Sequence, residues 1–258
     1  EPSQSKWASR AHIVLKLPSG KTVSDVNVAD CKLRVTGDYR AVNTQIEKKV
    51  PNLPNGTDKM EQAAGYEYYF EADSVACYNS FRLAQGMSRE SMAIWTPIGL
   101  VQPTVLPFGQ KNSGTEAQGP YRVASRNVKM VSNYVDDWLG YENDLVKLID
   151  NFEHFLDVCL LNKITLNTSK TRFGYSTANF FGFEVGKFGS RLAQKHLNPL
   201  NNLIPPTTIP ELRRVLGLFV VSRKYVKNFA MRTKPLSDLL RGQQPIFKWE
   251  KKHPDAYE

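Results

Sequence analysis

The sequence predicts an α+β fold, and three observations carry that prediction. Short runs of β-branched and aromatic residues lie at 10–17 ("RAHIVLKL") and 68–73 ("YYFEAD"). One long stretch, 144–161, repeats its apolar residues at helical spacing, and a pair of helical segments, 209–219 and 222–240, follows near the end. Period-two and β-rich runs favour strands, whereas three- and four-residue steps favour helices.

The run at 10–17 is a strand, and "PSG" at 18–20 reads as the turn after it. A polar stretch without strong signals continues to Arg34. "VPNLPNGTD" at 50–58 is a proline- and glycine-bearing loop, with Thr57 or Asp58 expected to cap a short helix before Gly65. Residues 128–141 read as strand, turn, strand, with Val135, Asp136 and Asp137 at the bend. In the helix after it, Leu145, Leu148, Ile149, Phe152, Phe155, Leu156, Cys159 and Leu160 share one face. In the terminal pair, Thr208 is placed to cap the first helix and Pro210 to sit in its first turn. The last residues, with Pro245, Trp249 and Pro254, look like the start of a further element.

The chain has 258 residues, of which 41% are hydrophobic, enough for one large core or a few linked subdomains. No apolar run approaches the ~20 residues that span a bilayer. It opens on Glu1 without a signal-peptide pattern and reads as a piece of something longer. Cys31, Cys77 and Cys159 form no CxxC pair, which suits a reducing compartment. A net charge of +9 favours a polyanionic partner. Between 211 and 234, Arg213, Arg214, Arg223, Lys224, Lys227, Arg232 and Lys234 oppose one acid, Glu211. This segment is either a nucleic-acid face or a solvated helix surface.

The chemistry centres on "VSNYVDDWLGY", 131–141. Two adjacent carboxylates repel, and burying them unpaired is costly. A turn in solvent would relieve this; a divalent cation would relieve it better, because Mg²⁺ takes oxygen ligands from one or two carboxylates and substrate phosphates. The apolar flanks, Val131, Tyr134, Trp138 and Leu139, favour the metal. Asp73, which also follows an apolar-aromatic run, is the natural third carboxylate, with Glu71 as an alternative. Such a site suits two Mg²⁺ ions, or Mn²⁺, about 3.5–4 Å apart and in-line displacement at phosphorus.

Six segments in order resemble the polymerase region of gypsy-type LTR retrotransposons and retroviruses, alongside a "YVDD" box similar to the YxDD of reverse transcriptases. "SKWAS" at 5–9 resembles SPWAS, and "RVTGDYRAVN" at 34–43 a motif with Arg four residues before DYR. "FEADSVACYNS" resembles FxxLDLxxGYxQ, and "TPIG" with "LPFGQKNSGTEAQ" resembles TPxG and MPFGLxNAPATFQ. "FFGFEV" at 180–185 resembles the FLGxxV hairpin, and "LRRVLGLFVVSRKYVKNFAMRTKPLSDLL" at 212–240 resembles LRxFLGLxxYYRxFIxxFxxxxxPLxxLL.

The resemblance implies a right-hand polymerase: fingers 1–50 and 81–110, palm 51–80 and 111–186, helical thumb 187–242, and the start of a truncated connection at 243–258. It implies an RNA-directed DNA polymerase that extends a primer on an RNA or DNA template from dNTPs, or else a catalytically silent copy that binds nucleic acid or scaffolds a partner. Asp73, Asp136 and Asp137 would be catalytic and hold metal, with Asp137 in a supporting role. Arg34 would grip the triphosphate, with Lys16 as a second phosphate contact, although extra residues between the two depart from the family spacing. Tyr78 would exclude a 2′-hydroxyl, and Phe108 and Gly109 would line the nucleotide pocket. Phe181 and Gly182 would hold the primer terminus, and Arg213, Arg214, Lys224 and Lys227 the template–primer duplex. For Lys170 a solvated loop lysine is the simpler reading and a proton donor to pyrophosphate the functional one.

The resemblance further implies a cytoplasmic protein within virus-like particles, with no membrane partner, in a homodimer or with ribonuclease H and integrase regions of one polyprotein. The chain departs from the pattern in three places. Residues 112–118 lack the usual Pro and Phe and carry Glu116, Cys77 stands for a glycine, and 21–33 looks inserted.

Overall fold

The computed structural model describes residues 1–17, 21–50, 55–75 and 77–241. The expected turn at 18–20, part of the loop at 50–58 and the terminal element at 243–258 fall at least partly outside the described residues. The first elements are β1 (Ser9–Lys16), β2 (Lys32–Gly37), α1 (Arg40–Gln45), α2 (Gly56–Ala63) and β3 (Tyr68–Asp73). Next come α3 (Met87–Glu90), β4 (Ile94–Thr96), β5 (Gly99–Val101) and α4 (Ser113–Ser125). The aspartate hairpin is β6 (Val131–Tyr134) and β7 (Asp137–Glu142), followed by α5 (Leu145–Leu161). The rest comprises β8 (Arg172–Tyr175), β9 (Thr177–Phe180), β10 (Phe183–Gly186), β11 (Gly189–Leu192), α6 (Gln194–Asn201), α7 (Ile209–Ser222) and α8 (Phe229–Asp238).

Three sheets result, ordered β2-β1-β4-β5, β6-β7-β3-β8 and β11-β10-β9. In the second, β3 runs antiparallel to β7 in the register Phe70↔Gly140 through Asp73↔Asp137. Helix α5 covers this sheet with Leu148 and Phe155, both fully buried, against Phe70 and Trp138. Burial of each such side chain contributes roughly 1.5–3 kcal/mol. Gly140 is required here: a Cβ on it would lie 1.9 Å from the Phe70 ring, so the close approach of β3 to β7 excludes any larger residue. A second core, with Met60, Tyr69, Leu139 and Val185, joins α2 and β10 to the far side.

Several expectations shift by a residue or two, each for a local reason. The cap of α2 is Asn55, whose side chain accepts from Thr57 N, rather than Thr57 or Asp58. Asp144 caps α5 by accepting from Lys147 N, and Thr208 caps α7 by accepting from Glu211 N, with Pro210 in the first turn. The second terminal helix is shorter than 222–240. Arg223–Tyr225 forms a 3-10 turn, and Asn228, in the left-handed region at φ 56°, restarts the helix at Phe229. The stretch 21–33, without strong signals in sequence, forms two 3-10 turns, Val23–Asp25 and Val28–Asp30, and enters β2. Glu116 does not disturb α4: it points outward and pairs with Lys49, while Ala117, Gln118, Tyr121 and Ala124 face inward.

Candidate active site

The two aspartates of the box fall on different structural elements. Tyr134 and Asp137 form the closing pair of the β6–β7 hairpin, so Val135 and Asp136 alone make its turn. Asp137 therefore begins a strand instead of sharing the bend, and the ladder sets it directly opposite Asp73. Ser74 N donates to Asp136 O at 2.8 Å, tying the turn to the end of β3. Beneath it, the indole of Trp138 donates to Ser74 Oγ at 2.8 Å. Val135 holds φ at 55°, a conformation rare for a β-branched residue and costing on the order of 1–3 kcal/mol. Backbone of this kind persists only where its surroundings over-determine it.

The electrostatics follow from the crowding. The Asp137 carboxyl is pushed up to about 6, first by desolvation and then by the charges of Asp136 and Asp73, with Lys170 and Lys195 opposing. Lys170 Nζ lies 2.8 Å from Asp73 Oδ2. That hydrogen bond, with the charges of all three aspartates, holds the ammonium above its ordinary range against partial burial. Lys170 is thus more than a solvated loop lysine, although its side chain is 59% exposed. Glu71 is committed elsewhere. Arg172 Nη1 reaches both its oxygens at 3.4 Å and Asn179 N donates to it at 2.6 Å.

Among the described residues, no three His, Cys, Asp or Glu side chains are gathered closely enough to enclose an ion. Asp73, Asp136 and Asp137 still concentrate hard oxygen donors whose mutual repulsion is visible at Asp137. That donor set fits Mg²⁺ or Mn²⁺.

From this corner a line of side chains leads to the first sheet. Tyr78 packs against the same core as Val135 of the aspartate turn, and burial, aided by the charges of Cys77, Asp136 and Tyr134, raises its pKa. The Tyr78 ring meets Phe108 edge-on at 4.9 Å between centroids. Over Phe108 lies the Arg34 guanidinium, 4.8 Å from the ring centre, a separation typical of cation–π contact. Thr36 Oγ donates to Phe108 O at 2.8 Å, and Asn43 donates to Gly109 O at 2.9 Å. Gly109 sits at φ 88°, a left-handed position that glycine fills without strain. The ribbon register pairs Val14 with Arg34 and Lys16 with Lys32. Directly opposed residues share a face and alternate residues return to it, so Lys16 and Arg34 lie on one face despite the extra residues between them.

Phe181 and Gly182, at φ 52° and 85°, form the two-residue turn between β9 and β10. The Phe181 ring lies 4.6 Å from Tyr134, which brings this turn against the aspartate hairpin. A Cβ on Gly182 would come within 2.5 Å of His196 Nε2, a residue without a sequence-derived role. Arg213, Arg214, Lys224 and Lys227 are all exposed. Lys224 is not free, because it pairs with Glu61 at 2.9 Å and fastens the 3-10 turn after α7 to α2.

Comparison with known proteins agrees with this geometry. The family model described as reverse transcriptase (RNA-dependent DNA polymerase) matches residues 28–185. The chain belongs to that family, and the curated relatives it is similar to are polyproteins of transposons. The retrovirus-related Pol polyprotein from transposon opus of Drosophila melanogaster is 24% identical over 243 residues, 93% of this chain and 23% of that polyprotein. The Pol polyprotein from transposon gypsy of the same species is 26% identical over 219 residues, 81% of this chain and 20% of that one. The chain thus spans about a fifth to a quarter of these relatives. Foamy viral protease-reverse transcriptase in complex with dsDNA matches with a TM-score of 0.83 at 21% identity, over 100% of this chain and 52% of that one. The same viral enzyme in complex with an RNA/DNA hybrid matches with a TM-score of 0.77 at 21% identity, over 98% and 33%. At these identities the structural likeness speaks for the fold, a mixed α+β polymerase architecture.

Proposed function

We propose that this chain extends a primer on an RNA or DNA template by transferring nucleotides from dNTPs, with Asp73, Asp136 and Asp137 at the reacting centre. The observation that carries this reading is the line of contacts from Tyr78 through Phe108 to Arg34, with Tyr78 on the same core as Val135 of the aspartate turn and Lys16 on the face of Arg34. A deoxynucleoside triphosphate fits that path in one direction: reactive phosphate at the carboxylates, sugar on Tyr78, outer phosphates at Arg34 and Lys16. The complexes with dsDNA and RNA/DNA hybrid formed by foamy viral enzymes support a template–primer partner.

The three carboxylates would hold two Mg²⁺ or Mn²⁺ ions, which would lower the pKa of the primer 3′-hydroxyl and neutralise charge on the phosphates. Around them, the chain positions the reactants: Arg34 and Lys16 orient the triphosphate, and Tyr78 closes the space a 2′-hydroxyl would need. Lys170 moves from Asp73 towards the departing pyrophosphate, to which it can give a proton. The bond formed joins the primer oxygen to the α-phosphorus, and the bond broken releases pyrophosphate. We assign 1–50 and 81–110 to the fingers, 51–80 and 111–186 to the palm and 187–242 to the thumb. The exposed Arg213, Arg214 and Lys227, with the turn at Phe181–Gly182, would hold the duplex. That contact is largely to phosphates and weakens steeply with salt.

One observation favours the alternative of a silent, nucleic-acid-binding copy: Lys170 already neutralises Asp73. Extension of a DNA primer on an RNA template with Mg²⁺ and dNTPs separates the two. Extension by the wild type and a loss of about 10³-fold in Asp136→Asn supports the polymerase. Equal background rates in both would establish the silent fold.

A further inference from the structure

Two fully buried carboxamides remain outside the roles above. Gln118, on α4, is 1% exposed, and Asn133, on β6, is 3% exposed. Both spend their hydrogen-bonding groups on the aspartate hairpin. Val135 N donates to Gln118 Oε1 at 2.6 Å, and Gln118 Nε2 donates to Asn133 Oδ1 at 2.7 Å. Asn133 Nδ2 then donates to Val135 O at 3.1 Å and to Asp137 O at 3.2 Å. The circuit has one consistent orientation: an amide N–H needs an oxygen partner, which fixes Gln118, and Gln118 in turn fixes Asn133. Between them the two side chains grip both polar groups of the Val135 peptide, the one residue of the hairpin turn at positive φ.

We propose that Gln118 and Asn133 are positioning residues that clamp Val135 in its left-handed conformation and thereby aim Asp136. The inference rests on the polymerase reading for its effect on rate, but the clamp itself is a property of the fold. Valine strongly disfavours positive φ. Without the clamp, the Val135 peptide would turn towards negative φ, and the Asp136 carboxylate, one residue on, would swing with it. A side chain that merely filled the core between α4 and β6 would not need two polar ends, and each end here finds its partner on the hairpin. The path also carries information from α4 to the reacting centre: a shift of that helix by a fraction of an ångström acts directly on the turn.

The test is a cycle of Gln118→Leu, which removes the grip at similar volume, with Val135→Gly, which adopts positive φ without one. In single-nucleotide addition, Gln118→Leu is expected to lower kcat by about 10²-fold, as for an ångström-scale misplacement, while KM for dNTP and duplex affinity change little. Adding Val135→Gly should return roughly tenfold of the loss in kcat. Equal losses with and without Val135→Gly would reduce Gln118 to core packing and overturn the proposal. Should Gln118→Leu fail to fold, Asn133→Ala, which frees the Val135 carbonyl, enters the same cycle with the same expectation. Hydrogen exchange at the Val135 amide gives a reading independent of activity. The amide should be protected in the wild type and lose protection in Gln118→Leu; protection retained there sinks the clamp even if the polymerase proves active. Protection lost in a protein without polymerase activity would instead sustain the clamp and defeat only the catalytic reading.

Discussion

The sheet that carries the aspartates and the ribbon that carries Arg34 are held in place by opposite means. In the aspartate sheet, Phe70, Trp138 and Leu139 are almost wholly buried, α5 covers one face, and the turn is gripped by side chains from α4 and β6. In the ribbon, Ile13, Leu33 and Val35 stand more than half exposed. Its attachment near the site is a few specific contacts, from Thr36 and Arg34 to Phe108 and from Tyr39 to Met92. In the proposed reaction, the groups that must be placed to a fraction of an ångström are thus fixed by packing, whereas the groups proposed to grasp and release a nucleotide sit on a lightly anchored strand pair. Opening free energy follows buried contact in this way.

That contrast can be broken most forcefully in the core. Leu148→Ala removes a fully buried side chain from beneath the sheet and should cost about 2–5 kcal/mol in denaturant unfolding. Ile13→Ser, on the open ribbon, should stay within about 0.5 kcal/mol. Comparable losses for the two would show that the ribbon packs as firmly as the sheet.

Tyr78→Ala comes next, because Tyr78 bridges the two regions. Its removal opens the space beside Phe108 and should raise ribonucleotide incorporation relative to deoxynucleotide by on the order of 10-fold or more, the scale of a steric discrimination in a tight pocket. Unchanged discrimination would take the sugar-sensing role away from this residue. For Arg34→Ala, the lost guanidinium should raise KM for dNTP about 10-fold, the weight of one charge-assisted contact. Its kcat should fall much less, and a fall confined to kcat would place Arg34 in the rigid half of the comparison.

The smallest effect concerns Asp137, and its sign is set by its raised pKa. A carboxyl that titrates near 6 in the folded chain and near 3.8 unfolded holds its proton more tightly in the native state. Without divalent ions, its contribution is most favourable below pH 4 and is lost as pH rises through 6. Because Asp137 is exposed and its repulsion partly screened, Asp137→Asn should raise the melting temperature of the metal-free protein at pH 7 by about one degree and lose that advantage near pH 4. Added Mg²⁺ should narrow the gap by offsetting the repulsion in the wild type. A melting temperature lowered by Asp137→Asn at pH 7 would contradict the crowding of carboxylates.

Much of this was legible in the residues because the signals are local. The helix from Asp144 to Leu161 shows in its apolar period and its capping aspartate, and Tyr68–Asp73 in its aromatic run. Asp73, Asp136 and Tyr78 could be singled out because motif order along the chain survives wide divergence. Other features had no local signature. Glu116 looked disruptive in "NSGTEAQ", yet a helix has an outer face, and Lys49, far away in sequence, supplies a partner there. Gln118 and Asn133 look like ordinary polar residues until the fold buries both and joins them.

By itself, then, the sequence determined the fold class, the main helices, the acid pair and its likeness to the reverse transcriptase box. Those depend on periodicity, composition and spacing, which are properties of short stretches. Only the tertiary structure decided that Asp137 lies on a strand opposite Asp73, that Lys170 is bound to Asp73, and that Lys16 shares a face with Arg34. It also decided that two buried amides hold Val135 in a conformation valine otherwise avoids. The physical reason is register and loop closure. A one-residue slip between strands would send each of these side chains to the other face, and the correct register is chosen by the collective packing of Phe70, Gly140, Trp138 and α5, to which residues distant in the chain contribute together.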